Sequence, residues 1–264
     1  MTSWRLRIRC GLAAAGLYVL AWGDGAAAAD LSREQVLAVL ARAPAERAVF
    51  DGKDLSDLDL SGADLRGASL RGTNLFASKL VSADLRGADL AGANLNGAWL
   101  MGADFTGAQL RGASLLSLVI LGGTVKKMPT FRNADLRATR IIADLPGVDL
   151  SGADLGQARI GVEIRNQGMG QMRTDLTGAN LAGVNLEGAD LNRSLLAFAN
   201  LTNTKLRGAN LFRAKLSGAD LTGADVAEAD FTEADLAGAI LRGASGLALA
   251  KGLDRAENID KAVR

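Results

Sequence analysis

The sequence predicts a solenoid: a chain that turns a corner every five residues and stacks its turns into a rod. Three observations carry this reading. From Leu55 to Ile120 every fifth residue is apolar, giving 14 centres, twelve of them Leu, with Phe105 and Ile120. From Leu176 to Leu241 another 14 follow, twelve Leu with Val226 and Phe231. Around the centres the slots are also fixed: Ala two before in nine of the first 14 and ten of the second, Asp or Asn usually one before, Gly often two after. A five-residue period fits neither the 3.6 of a helix nor the 2 of a flat strand, so the chain must bend within every unit. Large Leu and small Ala then point inward, and Asp, Asn and the variable positions outward. Glycine two after the centre suits the third position of a type II turn, which needs φ > 0.

Composition agrees with a narrow, uniform core. Of 264 residues, 48% are hydrophobic but only 4% aromatic, whereas ordinary cores rely on aromatic and mixed aliphatic side chains. Formal net charge is +1, so no basic excess points to nucleic acid as a partner. There is no His, which removes the commonest general base and metal ligand. With a single cysteine, Cys10, neither a disulfide framework nor a zinc cluster is available.

Residues 1–29 read as a secretory signal peptide. Arg5, Arg7 and Arg9 precede an apolar run from Cys10 to about Trp22, and Ala26 to Ala29 offer the small-residue cleavage site. The run is shorter than the roughly 20 residues a bilayer span needs, so no stable span is expected after cleavage. The expected location is periplasmic or secreted. Removing three Arg and Asp24 leaves 27 basic and 28 acidic residues, a net charge of −1, and no cysteine.

An N-terminal capping helix is expected within 30–50. Ser32 and Gln35 form a capping-box pattern, and Leu31 and Val36 sit at the two staple positions. Val36, Leu37, Val39 and Leu40 supply apolar surface, and Pro44 follows the end. Such a helix covers the open end of a solenoid's first coil, or docks on a partner.

The units "ADLRG", "ANLNG", "ADFTG" and "ANLAG" closely resemble the pentapeptide-repeat family, A-(D/N)-(L/F)-x-x, over residues 51–245. The resemblance implies an all-β fold, a right-handed quadrilateral parallel β-helix with four pentapeptides per coil, to which the residues at the two ends add short helical caps. The five-residue spacing by itself does not imply that geometry. About 35 centres at four per coil give roughly nine coils and a rod on the order of 40 Å long. Pro44, Pro129 and Pro146 are the only prolines, each where the pattern starts, stops or slips; proline has no N–H to give to a coil-to-coil ladder. Between the two regular runs, short patches centre on Phe131, Leu136, Ile141, Leu145, Leu150, Leu155 and Ile160. Segments 121–130 and 161–174 leave the frame, either as loops on one rod or as a hinge between two. Residues 246–264 form the C-terminal cap. There Asp254, Glu257, Ile259 and Val263 suggest a second short helix.

If residues twenty apart stack, surface patterns become legible. Val81, Trp99, Met101, Val119 and Leu121 then form a contiguous apolar patch, either an interaction site or a surface covered by segment 122–130. Met169 and Met172, in a segment with Gly161, Gly168 and Gly170, mark a possible binding loop. Asp64, Asp84 and Asp104, beside Arg66 and Arg86, look like a self-compensating solvated surface. Asp220, Asp225, Asp230 and Asp235, with Glu228 and Glu233, suggest an acidic collar that binds a cation or keeps the end soluble.

No catalytic, cofactor-binding or metal site emerges. Triads and thiol chemistry lack their residues, the glycines do not form a phosphate-binding loop, and a Leu/Ala-filled core leaves little room for a carboxylate pair to receive substrate. The expected role is an exported, non-enzymatic structural or interaction solenoid, a homodimer being possible. The family resemblance implies an alternative: some members mimic duplex DNA and bind DNA gyrase. The export signal and the near-neutral charge depart from that use.

Overall fold

At most corners the five-residue unit closes a hydrogen-bonded turn, and the sides pair with the coils above and below. These features come from a computed structural model that describes residues 29–42, 48–120, 127–162 and 173–264. The stretch up to residue 28, where a signal peptide is expected, and with it Cys10, lies outside the described residues.

One unit explains the slots. The Lys53 N–H donates to the Phe50 carbonyl at 3.0 Å, closing a turn whose third residue, Gly52, has φ 64°. Leu85 and Ala83 are buried. The Leu85 N–H donates to Asp104 O at 2.8 Å, and the Asp104 N–H donates to Ala83 O at 3.0 Å. Each side thus bonds its neighbour in both directions, which satisfies the backbone around a dry core. The Asp/Asn slot has a local job: Asp104 Oδ1 accepts from the Thr106 N–H at 2.9 Å, and Asn94 Oδ1 from the Asn96 N–H at 3.1 Å. This short Asx turn pre-forms the corner. Where Ala is replaced inside, a hydroxyl turns back to the corner carbonyl, as Ser78 does to Leu75 O at 2.8 Å.

Four parallel ladders result. One runs through Val49, Ser69, Asp89, Gln109, Asp135, Asp154, Asn185, Lys205, Asp225 and Ser245. Ten rungs are stacked where about nine coils are expected, because the rod starts earlier, at Phe50, and ends later. Most sides supply a single bridging residue. Only β1 (Ser114–Leu116) and β2 (Arg140–Ile142) extend to three, paired in parallel. The β character is therefore carried by bridges between coils rather than by long strands.

Both out-of-frame segments interrupt the spacing, yet three of the four ladders run through them, and only the ladder of Trp99 and Val119 lacks a bridge between Val119 and Asp144. Asp104 pairs with Thr130, Thr130 with Asp149 and Asp149 with Asn180, steps of 26, 19 and 31 where the regular coils step by 20. The six-residue surplus is followed at once by a stacked pair, Phe105 on Phe131, ring centroids 4.9 Å apart. The eleven-residue surplus is tied by Thr174, whose Oγ1 donates to Ile160 O at 2.7 Å and lies 2.9 Å from Ile141 O. The single missing residue falls between Ile141 and Leu145, two buried centres four apart instead of five. Close by is a void of about 10 Å3 lined by Leu136, Ile141, Leu145, Leu155, Ile160 and Thr174 among others.

Both ends are closed. Helix α1 (Arg33–Arg42) buries Val36, and Leu31, Leu37 and Leu40 pack on the core. The capping box forms: Gln35 Oε1 accepts from the Ser32 N–H at 2.7 Å, and Ser32 Oγ from the Gln35 N–H at 3.3 Å. Asp30 docks on the first coil's edge, its N–H donating to Asp54 O at 2.7 Å and its Oδ2 accepting from the Asp54 N–H at 2.9 Å.

The C-terminal cap differs from the single helix expected from Asp254, Glu257, Ile259 and Val263. It is a last coil with six-residue sides. Ser245, Lys251, Glu257 and Val263 each continue a ladder. Each side holds one 3-10 turn, at Leu247–Leu249, Leu253–Arg255 and Ile259–Lys261, preceded by left-handed Gly246, Gly252 and Asn258. "GLALAK", "GLDRAE" and "NIDKAV" are thus a six-residue repeat. The extra residue per side lets Leu247, Leu253 and Ile259 fold over the end of the core.

Candidate functional site

Three of the four ladders are polar through the body of the rod. The fourth runs Asp59, Lys79, Trp99 and Val119, breaks there, and resumes within the irregular stretch as Asp144, Asp175, Leu195, Lys215, Asp235 and Glu257. It alone places Trp, Val and Leu at outward bridging positions between Asp54 and Asp235.

The stacking expected for the apolar patch is found for Trp99 and Val119, which are bridge partners on this face. Val81, Trp99 and Val119 are half-buried. Met101 is not an exposed contact point, being only 2% exposed. The Gly102 N–H donates to Lys127 O at 2.7 Å, which brings the chain back against this corner, and Met128 packs on the core. Leu121, and the loop residues Met169 and Met172, lie outside the described residues. The Lys79 ammonium sits 5.8 Å from the centre of the Trp99 ring and 3.8 Å from the Asp59 carboxylate. A cation over the ring face orients the indole. The Asp59 carboxyl is held below its usual value chiefly by hydrogen bonds from Ser61, then by Lys79 and Arg33.

Lower on the same face the structure adds two residues that periodicity reasoning passed over. Leu195 occupies an Asp/Asn slot, and Phe198 occupies a glycine slot with φ 58° and is 71% exposed. A bulky side chain in the left-handed region costs on the order of 1 kcal/mol, and exposing an aromatic ring gains nothing from the core. The signal was present as two slot violations in "SLLAFANL". The Phe198 ring leans over Gly218 of the next coil, where a Cβ would meet it at 2.7 Å, while the Cβ position of Gly178 on the other side faces open space.

Beside Leu195 runs a basic column. Arg173, Arg193, Arg213 and Lys215 line an open cleft with Glu233 and Glu257. Arg213 Nε donates to Glu233 at 2.6 Å, and Lys215 Nζ to Glu257 at 3.1 Å. Part of the acidic collar is thereby neutralised in place: Arg207 also lies 3.4 Å from Asp225 and 3.6 Å from Glu228. At Asp235 burial works to raise the carboxyl pKa, but hydrogen bonds from Asn258, the Ala237 N–H and Ser217 outweigh it and the net shift is downward.

The Asp64, Asp84 and Asp104 stack is interleaved with arginines as expected. Arg86 reaches Asp84 and lies 3.9 Å from Asp104, and Arg66 lies 2.7 Å from Asp64 and 3.6 Å from Asp84. The Arg86 guanidinium holds the Asp84 carboxyl below the usual carboxylate range. Among the described residues no group of His, Cys, Asp and Glu is placed to hold a metal ion, and no helix is long and apolar enough to cross a membrane.

Pentapeptide repeats match this chain in eight copies, at residues 38–75, 78–115, 174–211 and 209–245. Among solved structures it is similar to HetL, a pentapeptide repeat protein involved in heterocyst differentiation regulation in the cyanobacterium Nostoc. The two are 31% identical over 88% of this chain and 94% of HetL, with a TM-score of 0.56. QnrB1, a plasmid-mediated fluoroquinolone resistance protein, is 21% identical over 81% of this chain and 91% of its own, with a TM-score of 0.43. A pentapeptide repeat protein from the Arabidopsis thaliana thylakoid lumen is 33% identical over 35% of this chain and 67% of its own, at a TM-score of 0.16. No curated protein matches the sequence.

Proposed function

This chain belongs to the pentapeptide-repeat family, and from that premise we propose that it is an exported, non-enzymatic rod that binds a protein partner through its Lys79–Trp99–Val119 face. The fold is a right-handed, four-sided coil in this reading. The observation that carries the proposal is the contrast between shaft and surface. The inner positions are filled by Leu, Ala, Ile, Val, Phe and small hydroxyl residues, and the void near Ile141 holds at most about one water. Chemistry or recognition therefore has to happen on the outside. There, outward apolar bridging residues between Asp54 and Asp235 are confined to one face. Aromatic residues at the centre of an otherwise polar surface are the usual anchors of protein interfaces. The basic, apolar and small-residue order of residues 1–29 supports export.

The test is to express the full gene with a photo-crosslinking residue at Trp99, fractionate the cells and identify both the mature N-terminus and any covalent adduct. Loss of residues 1–29, recovery outside the cytosol and a single adduct dependent on position 99 are expected. An intact cytosolic chain would overturn export. A chain that gives no adduct from Trp99, but does from a polar face such as Gln109, would overturn the assignment of the face.

A further inference from the structure

We propose that the lower half of the same face, around Leu195 and Phe198, docks a second copy of this chain side by side and antiparallel. The inference rests on reading this face as an interaction surface, but uses residues separate from the Trp99 patch.

Four successive levels carry it, defined by the bridged residues Leu195, Lys215, Asp235 and Glu257. Across the face at the first level stand Arg193, Leu195 and Phe198; at the second, Arg213 and Lys215; at the third, Glu233 and Asp235; at the fourth, Glu257, with Asp254 and Arg255, and Asp260 and Lys261, offsetting each other. The net charges in order are +1, +2, −2 and −1. That series maps onto its own opposite when reversed. A two-fold axis lying in the face between the Lys215 and Asp235 levels sets the second level against the third of the other copy, and the first against the fourth. Such an axis keeps each residue at its own lateral position. Arg213 then meets Glu233 of the second copy, and Lys215 meets Asp235. Phe198 meets the corner turn Ile259–Lys261, whose Ile259 is half-buried. Isologous pairing of this kind closes at two copies.

The cost side also points outward. Among the described residues Phe198 is the most exposed large apolar side chain, in a left-handed position most other corners give to glycine. A strained, exposed aromatic flanked by glycines suits insertion against another surface. The cations and anions already pair within one chain, at Arg213–Glu233 and Lys215–Glu257, so the association is expected to be weak and salt-sensitive.

The experiment uses protein expressed from the full gene and measures mass by sedimentation velocity over a range of concentrations at low and high salt. A monomer–dimer equilibrium that weakens in high salt is expected. Phe198→Ser and Lys215→Glu should each weaken dimerisation at least tenfold, and Lys215→Glu combined with Asp235→Lys should restore it. In a Cys10→Ser background that keeps Phe198, Ala197→Cys with Asp260→Cys should give a covalent dimer with a short bismaleimide, and neither single cysteine should. A chain monomeric at every concentration overturns the proposal. So does a dimer indifferent to Phe198→Ser and broken instead by Val263→Asp, which would place the contact at the rod's end. Neither result touches the Trp99 crosslink, so the two readings fail separately.

Discussion

The block from Ala48 to Ile120 and the stretch from Lys127 to Val162 build the same four-sided ladder from very different sequence. In the block every bridge spans 20 residues; through the second stretch the steps are 26, 19 and 31. The inward positions are nonetheless filled in both, by Leu85, Leu90 and Leu95 in one and Phe131, Leu136 and Leu150 in the other. The difference teaches that the ladder is specified by what bridges and what is buried, not by chain length between bridges. Extra residues at a corner add only loop-closure entropy, which grows slowly with length. A residue added within a side would reverse inward and outward positions beyond it.

The largest expected effect follows from that asymmetry. Inserting one alanine between Ala93 and Asn94 should cost as much as two buried-leucine truncations, roughly 4–10 kcal/mol. The same insertion between residues 123 and 124 should cost less than about 0.5 kcal/mol. Urea titration of both proteins measures this, and equal losses would break the comparison.

Next in size, Leu85→Ala in the regular block should lose about 2–5 kcal/mol. Thr174→Val, which removes the hydroxyl tying Ile160 and Ile141 after the longer surplus, should lose about 1–2 kcal/mol. If Thr174→Val instead costs more than Leu85→Ala, the irregular stretch depends on its polar tie rather than on its core.

A smaller effect concerns the corners. Gly92 has φ 69° with nothing near a Cβ, and Ala77 occupies the same slot at φ 54°. Gly92→Ala should destabilise by about 1 kcal/mol, and Ala77→Gly should stabilise by a similar or smaller amount. Opposite shifts in melting temperature are the expected readout.

The smallest effect should be common to both regions. Arg86 lowers the Asp84 carboxyl pKa in the block, and Arg137 lowers that of Asp135 in the irregular stretch. A carboxyl whose folded pKa is depressed stabilises the fold at pH above its ordinary value, about 3.9, and loses that contribution as pH falls through the folded value. Arg86→Gln and Arg137→Gln should therefore lower the melting temperature slightly and equally at neutral pH. Each difference from the parent should shrink as the solution is acidified below about pH 4. A difference that grows in acid would contradict the ion-pair account.

Slot periodicity made the regular coils legible because each slot has one physical task. Leu fills the shaft, Ala admits the backbone, Asp or Asn accepts the corner N–H, and glycine takes the left-handed turn. It did not expose Leu195 and Phe198, because attention to the period treats departures as noise, whereas here the departures mark the surface. The six-residue repeat of the last coil was visible in "GLALAK", "GLDRAE" and "NIDKAV", but Asp254 and Glu257 suggested a helix cap when considered locally.

By itself the sequence determined the repeating unit, the identity of the core and the places where the frame breaks, since these depend on residue size and backbone preference within a few positions. Only the tertiary structure decided that three of the four ladders continue through both breaks, that Met101 is covered, and that the charges from Arg193 to Glu257 lie in series on one face. Those facts depend on which coil lies above which, and that register was set by distant contacts such as Phe105 on Phe131 and Thr174 on Ile160, which no local spacing encodes.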